Sequence, residues 1–159
     1  GPSAATYAEK QHDLAVTEWQ RGNYSEAMYY LGAATHLVQD ACTPPHTSQF
    51  VPNHRPYEEW AVRHLDEMEA HSGGIYQDQL AADAPHGGGQ WSVEHTRGWL
   101  DACAHRAWVE IPNTIQPPKD DPLLNEAAAQ ETARHFKETQ QITAGYLKFF
   151  FDEVGGLSR

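Results

Sequence analysis

Three features of this 159-residue sequence predict an all-α domain of about five main helices. No stretch alternates β-branched and polar residues in the way a half-buried strand requires. Ala, Glu, Gln and Leu, which favour helix, dominate between the punctuation residues. Gly and Pro cut the chain into helix-length pieces, with no internal repeat and no second domain boundary among them.

Taken in order, a first helix is expected over about 4–20, ending near Arg21-Gly22-Asn23. A second starts at Ser25 and runs to about Ala41, stopped before Pro44-Pro45 because a residue preceding proline is pushed out of the helical region. After a loop to Pro52, a third helix is expected from about Pro56 to His71. Gly73-Gly74 and Gly87-Gly88-Gly89 mark 72–90 as a loop, a fourth helix covers about 91–110, and the Pro-rich stretch 112–122 is a connection. A long last helix runs from about Leu123 to Glu153.

Length and composition place the chain as one domain with enough material for a core, including five Trp, seven Tyr and five Phe. A formal charge of −11 argues against nucleic acid as a simple electrostatic partner, since phosphate binding ordinarily shows as basic patches. A bound cation would change that locally, because it can be the largest charge in a cleft. Ten histidines stand out against the roughly three or four that average usage gives. No run is long enough to span a bilayer, and no signal peptide is in view. Gly1-Pro2-Ser3 reads as the scar of a cleaved purification tag, so 4–159 is expected to be a domain cut from a longer protein. Cys42 and Cys103 allow one disulfide in an exported protein, and equally suit two small buried thiols.

The second helix carries the chemistry. Ala27, Tyr30, Leu31, Ala34, Leu37, Val38 and Ala41 follow the spacing of one apolar face, with Tyr29, Gly32, Ala33, His36 and Asp40 on the other. From Ala27 to Gln39 there is no charged residue, which predicts a helix covered on both sides with His36 and Asp40 in an interior or a cleft. A buried carboxylate needs a cation or strong donors, and a metal would meet that need. His36 and Asp40 are four apart and project together; His46 follows the stiff Pro44-Pro45 turn; His54 and Glu58 are again four apart. Imidazole and carboxylate are the donors that Zn²⁺ takes in catalytic sites, and the absence of a thiolate set argues against a zinc finger. A single interior His is more often a hydrogen-bonded core residue, and a single His–carboxylate pair is common as a surface ion pair. Two such pairs plus a bridging His within one short segment predict a metal site of His36, Asp40, His46, His54 and Glu58. His12, His64, His71, His86, His95, His105 and His135 have no such company and are read as surface or structural.

The run Tyr30-Leu31-Gly32, then His36 and Asp40, then Pro44-Pro45-His46, then His54 and Glu58, resembles the zinc-dependent phospholipase C family, which is related to the zinc single-strand nucleases. The segment 141–152, with Tyr146, Phe149, Phe150 and Phe151, is similar to the final helix of the bacterial phospholipases. The likeness is tight over 24–60 and 138–153 and loose between. It implies a helical domain with three zinc ions at the base of a cleft. His46, His54 and Glu58 would form one zinc site; His36 and Asp40 would supply part of a second, with Asp40 bridging to a third. The family's remaining ligands, an N-terminal Trp amino group, two His and an Asp, would precede this chain, so a preceding segment or a partner chain would have to complete the cluster. The resemblance further implies export from the cytoplasm and a phospholipid or other phosphodiester substrate. A zinc-stabilised binding or structural module without catalysis is the competing reading, and a single-strand nuclease activity a further one.

Overall fold

The structure is a computed structural model that describes residues 3–43, 54–70, 74, 95–114 and 126–156. Among the described residues five α-helices run in order: α1 Ala4–Gln20, α2 Tyr24–Ala41, α3 His54–Arg63, α4 Thr96–Thr114 and α5 Glu126–Glu153. A 3-10 turn, Leu65–Glu67, follows α3. The described residues contain no strand, so the all-α expectation holds.

The helix α1 starts where Ser3, in extended conformation, accepts the Thr6 N–H on its Oγ at 3.2 Å. It ends in a Schellman motif: Asn23 N–H donates to Glu18 O at 2.8 Å and Gly22 N–H to Trp19 O at 3.0 Å. Gly22 has φ +80°, a region that a side chain would strain. The three-residue link makes α1 and α2 an antiparallel hairpin, and Asn23 Nδ2 ties it by donating to Glu18 Oε2 at 2.7 Å.

Alanines let this hairpin close. Ala5, Ala8 and Ala15 of α1 and Ala27 and Ala34 of α2 are buried, with Leu31 and Val38 continuing the stripe. α2 stops at Cys42, whose N–H donates to Val38 O at 3.2 Å, just ahead of the two prolines. Helices α4 and α5 pack over the hairpin and against each other. They bring Trp99, Leu100, Ala102 and Cys103 from α4, and Ile142, Tyr146 and Phe150 from α5, into one core. The Trp99 and Tyr146 rings meet edge-on at 5.7 Å, a favourable arrangement for aromatic quadrupoles. Gln140 of α5 holds the chain after α3, donating to Met68 O at 2.7 Å and accepting the Ala70 N–H at 3.1 Å.

Both ends of α3 and of α4 differ from the sequence reading. α3 begins at His54 and ends at Arg63, earlier than expected at both ends, and gives way to the 3-10 turn. α4 starts at Thr96 rather than near 91 and runs on to Thr114, with Pro112 in its last turn. The expected loop over 72–90 lies outside the described residues except for Gly74. The expected connection over 112–122 is helical to Thr114 and lies outside the description beyond it.

Candidate metal centre

α2 brings His36 and Asp40 into contact, with His36 Nε2 3.2 Å from Asp40 Oδ2. One helical turn separates them, so the backbone alone directs both side chains the same way. The expected two-sided burial is not found. The His36 side chain is 71% exposed and Asp40 37%, and Tyr29 on the same side is 72% exposed. The uncharged run of α2 therefore reflects one buried stripe plus small and aromatic residues that stay in water. The absence of charge removes an obstacle to burial but does not supply a covering element.

Asp40 nonetheless faces a defined space. It lines a cleft of about 470 Å³ together with Ser3, Leu37, Arg97, Leu100 and Asp101. Arg97 is held on the α1 side, donating from Nη2 to Glu9 Oε2 at 3.1 Å and to Thr6 Oγ1 at 2.9 Å. Burial pushes the Asp101 carboxyl above its ordinary range; nearby Arg97 opposes that shift and Glu9 adds to it. The cleft thus has one carboxylate in contact with an imidazole, a second partly buried beside Arg97, and a guanidinium already engaged by Glu9 and Thr6.

The other candidates divide. His54 and Glu58 both lie on α3, one turn apart, and Glu58 is exposed. His46 and the side chain of His54 lie outside the described residues. Among the described residues, no three His, Cys, Asp or Glu side chains converge on a point where they could hold a metal. The pair His36–Asp40 does fit such an ion chemically. A neutral imidazole nitrogen and a carboxylate oxygen on one helix face form a bidentate donor set that zinc accepts, and their exposure leaves room for further ligands.

Two polar constellations escaped the sequence reading. His12, set down as surface or structural, is buried and fully engaged. Its Nδ1 is 2.8 Å from Tyr146 Oη and its Nε2 2.6 Å from Glu153 Oε2. Its ring stacks on Phe149 at 5.2 Å. A carboxylate can only accept, so Nε2 carries the proton toward Glu153, and a neutral Nδ1 then accepts from the Tyr146 hydroxyl. Thr96 Oγ1, 3.4 Å away, completes the chain by donating to Tyr146. Burial drives the Tyr146 phenol well above its usual value, so it remains a donor. A signal was present in the sequence: His12 occupies the spacing of Ala5, Ala8 and Ala15 on the buried stripe of α1. The second constellation, Arg97 and Asp101, had no signal, because nothing local joins α4 to the α2 cleft.

An all-helical domain with a His–carboxylate pair at the mouth of a cleft defines a class of candidate metal-dependent helical proteins. Sequence comparison makes the assignment specific. The profile of the family described as zinc dependent phospholipase C matches residues 3–116, and the chain belongs to that family. Among individual proteins, it is 32% identical over 158 residues to a phospholipase C of Clostridium novyi, covering 94% of this chain and 38% of that protein. A phospholipase C of Clostridium perfringens is 32% identical over 151 residues, covering 89% and 35%. One from Bacillus cereus is 22% identical over 164 residues, covering 92% and 54%. The chain thus spans from about a third to about half of the length of these curated relatives.

Proposed function

We propose that this chain is the helical part of a zinc-dependent phosphodiester hydrolase of the phospholipase C type that acts on phospholipid outside the cytoplasm. The observation that carries the reading is the His36–Asp40 pair, 3.2 Å apart beside a cleft, in a member of a zinc-dependent family. In this reading His46, His54 and Glu58 hold one zinc. His36 and Asp40 would hold part of a second, with an imidazole nitrogen and a carboxylate as donors. A segment beyond 1–159 or a partner chain supplies the remaining ligands. Zinc, when bound, supplies Lewis-acid polarisation of the phosphoryl group and hydroxide at neutral pH.

The chain's own residues hold and orient. One helical turn fixes the distance between His36 and Asp40. Arg97, tied to Glu9 and Thr6, stands in the cleft wall as a positive charge among carboxylates. Phospholipid is favoured over nucleic acid by the charge of −11 and by the names of the relatives. Among the described residues no helix is long and apolar enough to cross a membrane.

A second reading, a zinc-stabilised module without catalysis, is favoured by the openness of the His36–Asp40 pair and by the lack of a third described donor beside it. Metal counting by elemental analysis separates the two. Two or three zinc ions per chain, with hydrolysis of a chromogenic phosphocholine ester that a chelator abolishes and zinc restores, support the hydrolase. One zinc and no turnover support the module. No hydrolysis by the complete native protein with every metal loaded would overturn the hydrolase reading.

A further inference from the structure

The two cysteines, 61 positions apart in sequence, are neighbours in the core. Cys42 caps α2 and is 5% exposed; Cys103 lies in mid-α4 and is 1% exposed. Both belong to the same packed cluster, and both line one small cavity with Arg106, His135, Glu138 and Ile142. The Cys42 thiol is hydrogen-bonded to Cys103. A metal is not the natural occupant of this cavity, because no third His, Cys, Asp or Glu converges with the two sulfurs among the described residues.

We propose that Cys42 and Cys103 form an intramolecular disulfide that clips the end of α2 to α4. The bond would close a loop over 43–102, the segment that carries His46, His54 and Glu58. It would therefore tether both ends of the stretch holding three of the candidate ligands, whatever the metal content. Both sulfurs are buried in the folded protein, out of reach of an external disulfide. The bond accordingly forms while the chain folds, before α4 seals over α2. The Cys42 thiolate attacks one sulfur of a low-molecular-weight disulfide and releases one thiol. The Cys103 thiolate then attacks the Cys42 sulfur of the mixed disulfide and releases the second. Two protons leave the protein, and its two electrons reduce the external disulfide.

Closing a loop of roughly 60 residues restricts the unfolded chain enough to raise the melting temperature by about 10 °C in a protein of this size. The test is refolding from guanidinium in mixed reduced and oxidised glutathione, followed by alkylation in denaturant and peptide mass mapping. The expected result is one cross-linked peptide pair containing Cys42 and Cys103, no alkylation at either, and a melting temperature about 10 °C above that of the same protein reduced with dithiothreitol. The double variant Cys42→Ser/Cys103→Ser should melt like the reduced protein and not respond to oxidant. The wild-type comparison stands even if that variant fails to fold. Full alkylation of both cysteines after oxidative refolding, glutathione retained on a single cysteine, a disulfide-linked dimer, or a cross-link that leaves the melting temperature unchanged would each overturn the proposal.

Discussion

Replacing His12 by alanine should unfasten the two ends of the chain that the fold joins. His12 is buried, stacks on Phe149, and reaches Tyr146 and Glu153 through its two nitrogens. The bond to Glu153 adds little, because that carboxylate is 44% exposed and water replaces the donor. Tyr146 Oη is different: it lies in the core, and without Nδ1 its proton is left only the longer contact to Thr96 Oγ1 at 3.4 Å, which costs about 1–3 kcal/mol. Deleting the buried imidazole and its ring contacts adds roughly 1–2 kcal/mol. The sum, about 3 kcal/mol, corresponds to a melting temperature lower by roughly 10 °C in a domain of this length. Chemical denaturation of His12→Ala, Tyr146→Phe and the double variant measures it, since the cycle isolates the shared bond. A coupling of about 1 kcal/mol is expected. A loss below about 1 kcal/mol for His12→Ala, or additive single effects, would refute the reasoning that this pair is formed and buried.

Three other outcomes follow from the same geometry. Burial raises the folded Tyr146 phenol above its unfolded value, so its contribution is present below pH about 10 and is lost as pH rises further; Tyr146→Phe should flatten the alkaline limb of a stability-versus-pH profile. Gly22→Ala, forced into φ +80°, should cost about 1 kcal/mol by urea denaturation, whereas Gly32→Ala, with open space at its Cβ and ordinary φ, should be neutral or stabilising. If zinc is held by the proposed ligands, chelation should lower the melting temperature, with about 2.7 kcal/mol at stake when free zinc is 100 times its dissociation constant. Replacing His54 or Glu58 should reproduce the chelated melt and replacing His86 should not; an unchanged melt after confirmed metal removal would count against the site.

Local chemistry made the first two helices legible. Ser3 before an alanine-rich stretch, Gly22 after it, and Pro44-Pro45 past Cys42 are signals that act within a few residues, and α1 and α2 begin and end within a residue of their expected bounds. The later boundaries were less legible. Where α3 and α4 start depends on which turns find support from the rest of the fold, and His54 and Pro112 sit inside helices that local rules would have begun later or ended earlier. At the candidate site the pairing of His36 with Asp40 follows from helical spacing alone. Their exposure does not, because an uncharged run says what a face could tolerate and not what covers it.

By itself, then, the sequence determined an all-helical chain, a His–carboxylate pair held by one turn of α2, and membership of a zinc-dependent family, because each depends on residues near one another in the chain or on their order. Only the tertiary structure decided that His12 is a core residue bonded to Tyr146 and Glu153, that Asp40 shares a cleft with Arg97 and Asp101, and that Cys42 meets Cys103. These are contacts between helices far apart in sequence. Which side chains meet there is set by how α4 and α5 settle on the α1–α2 hairpin, and close packing admits few arrangements of that kind.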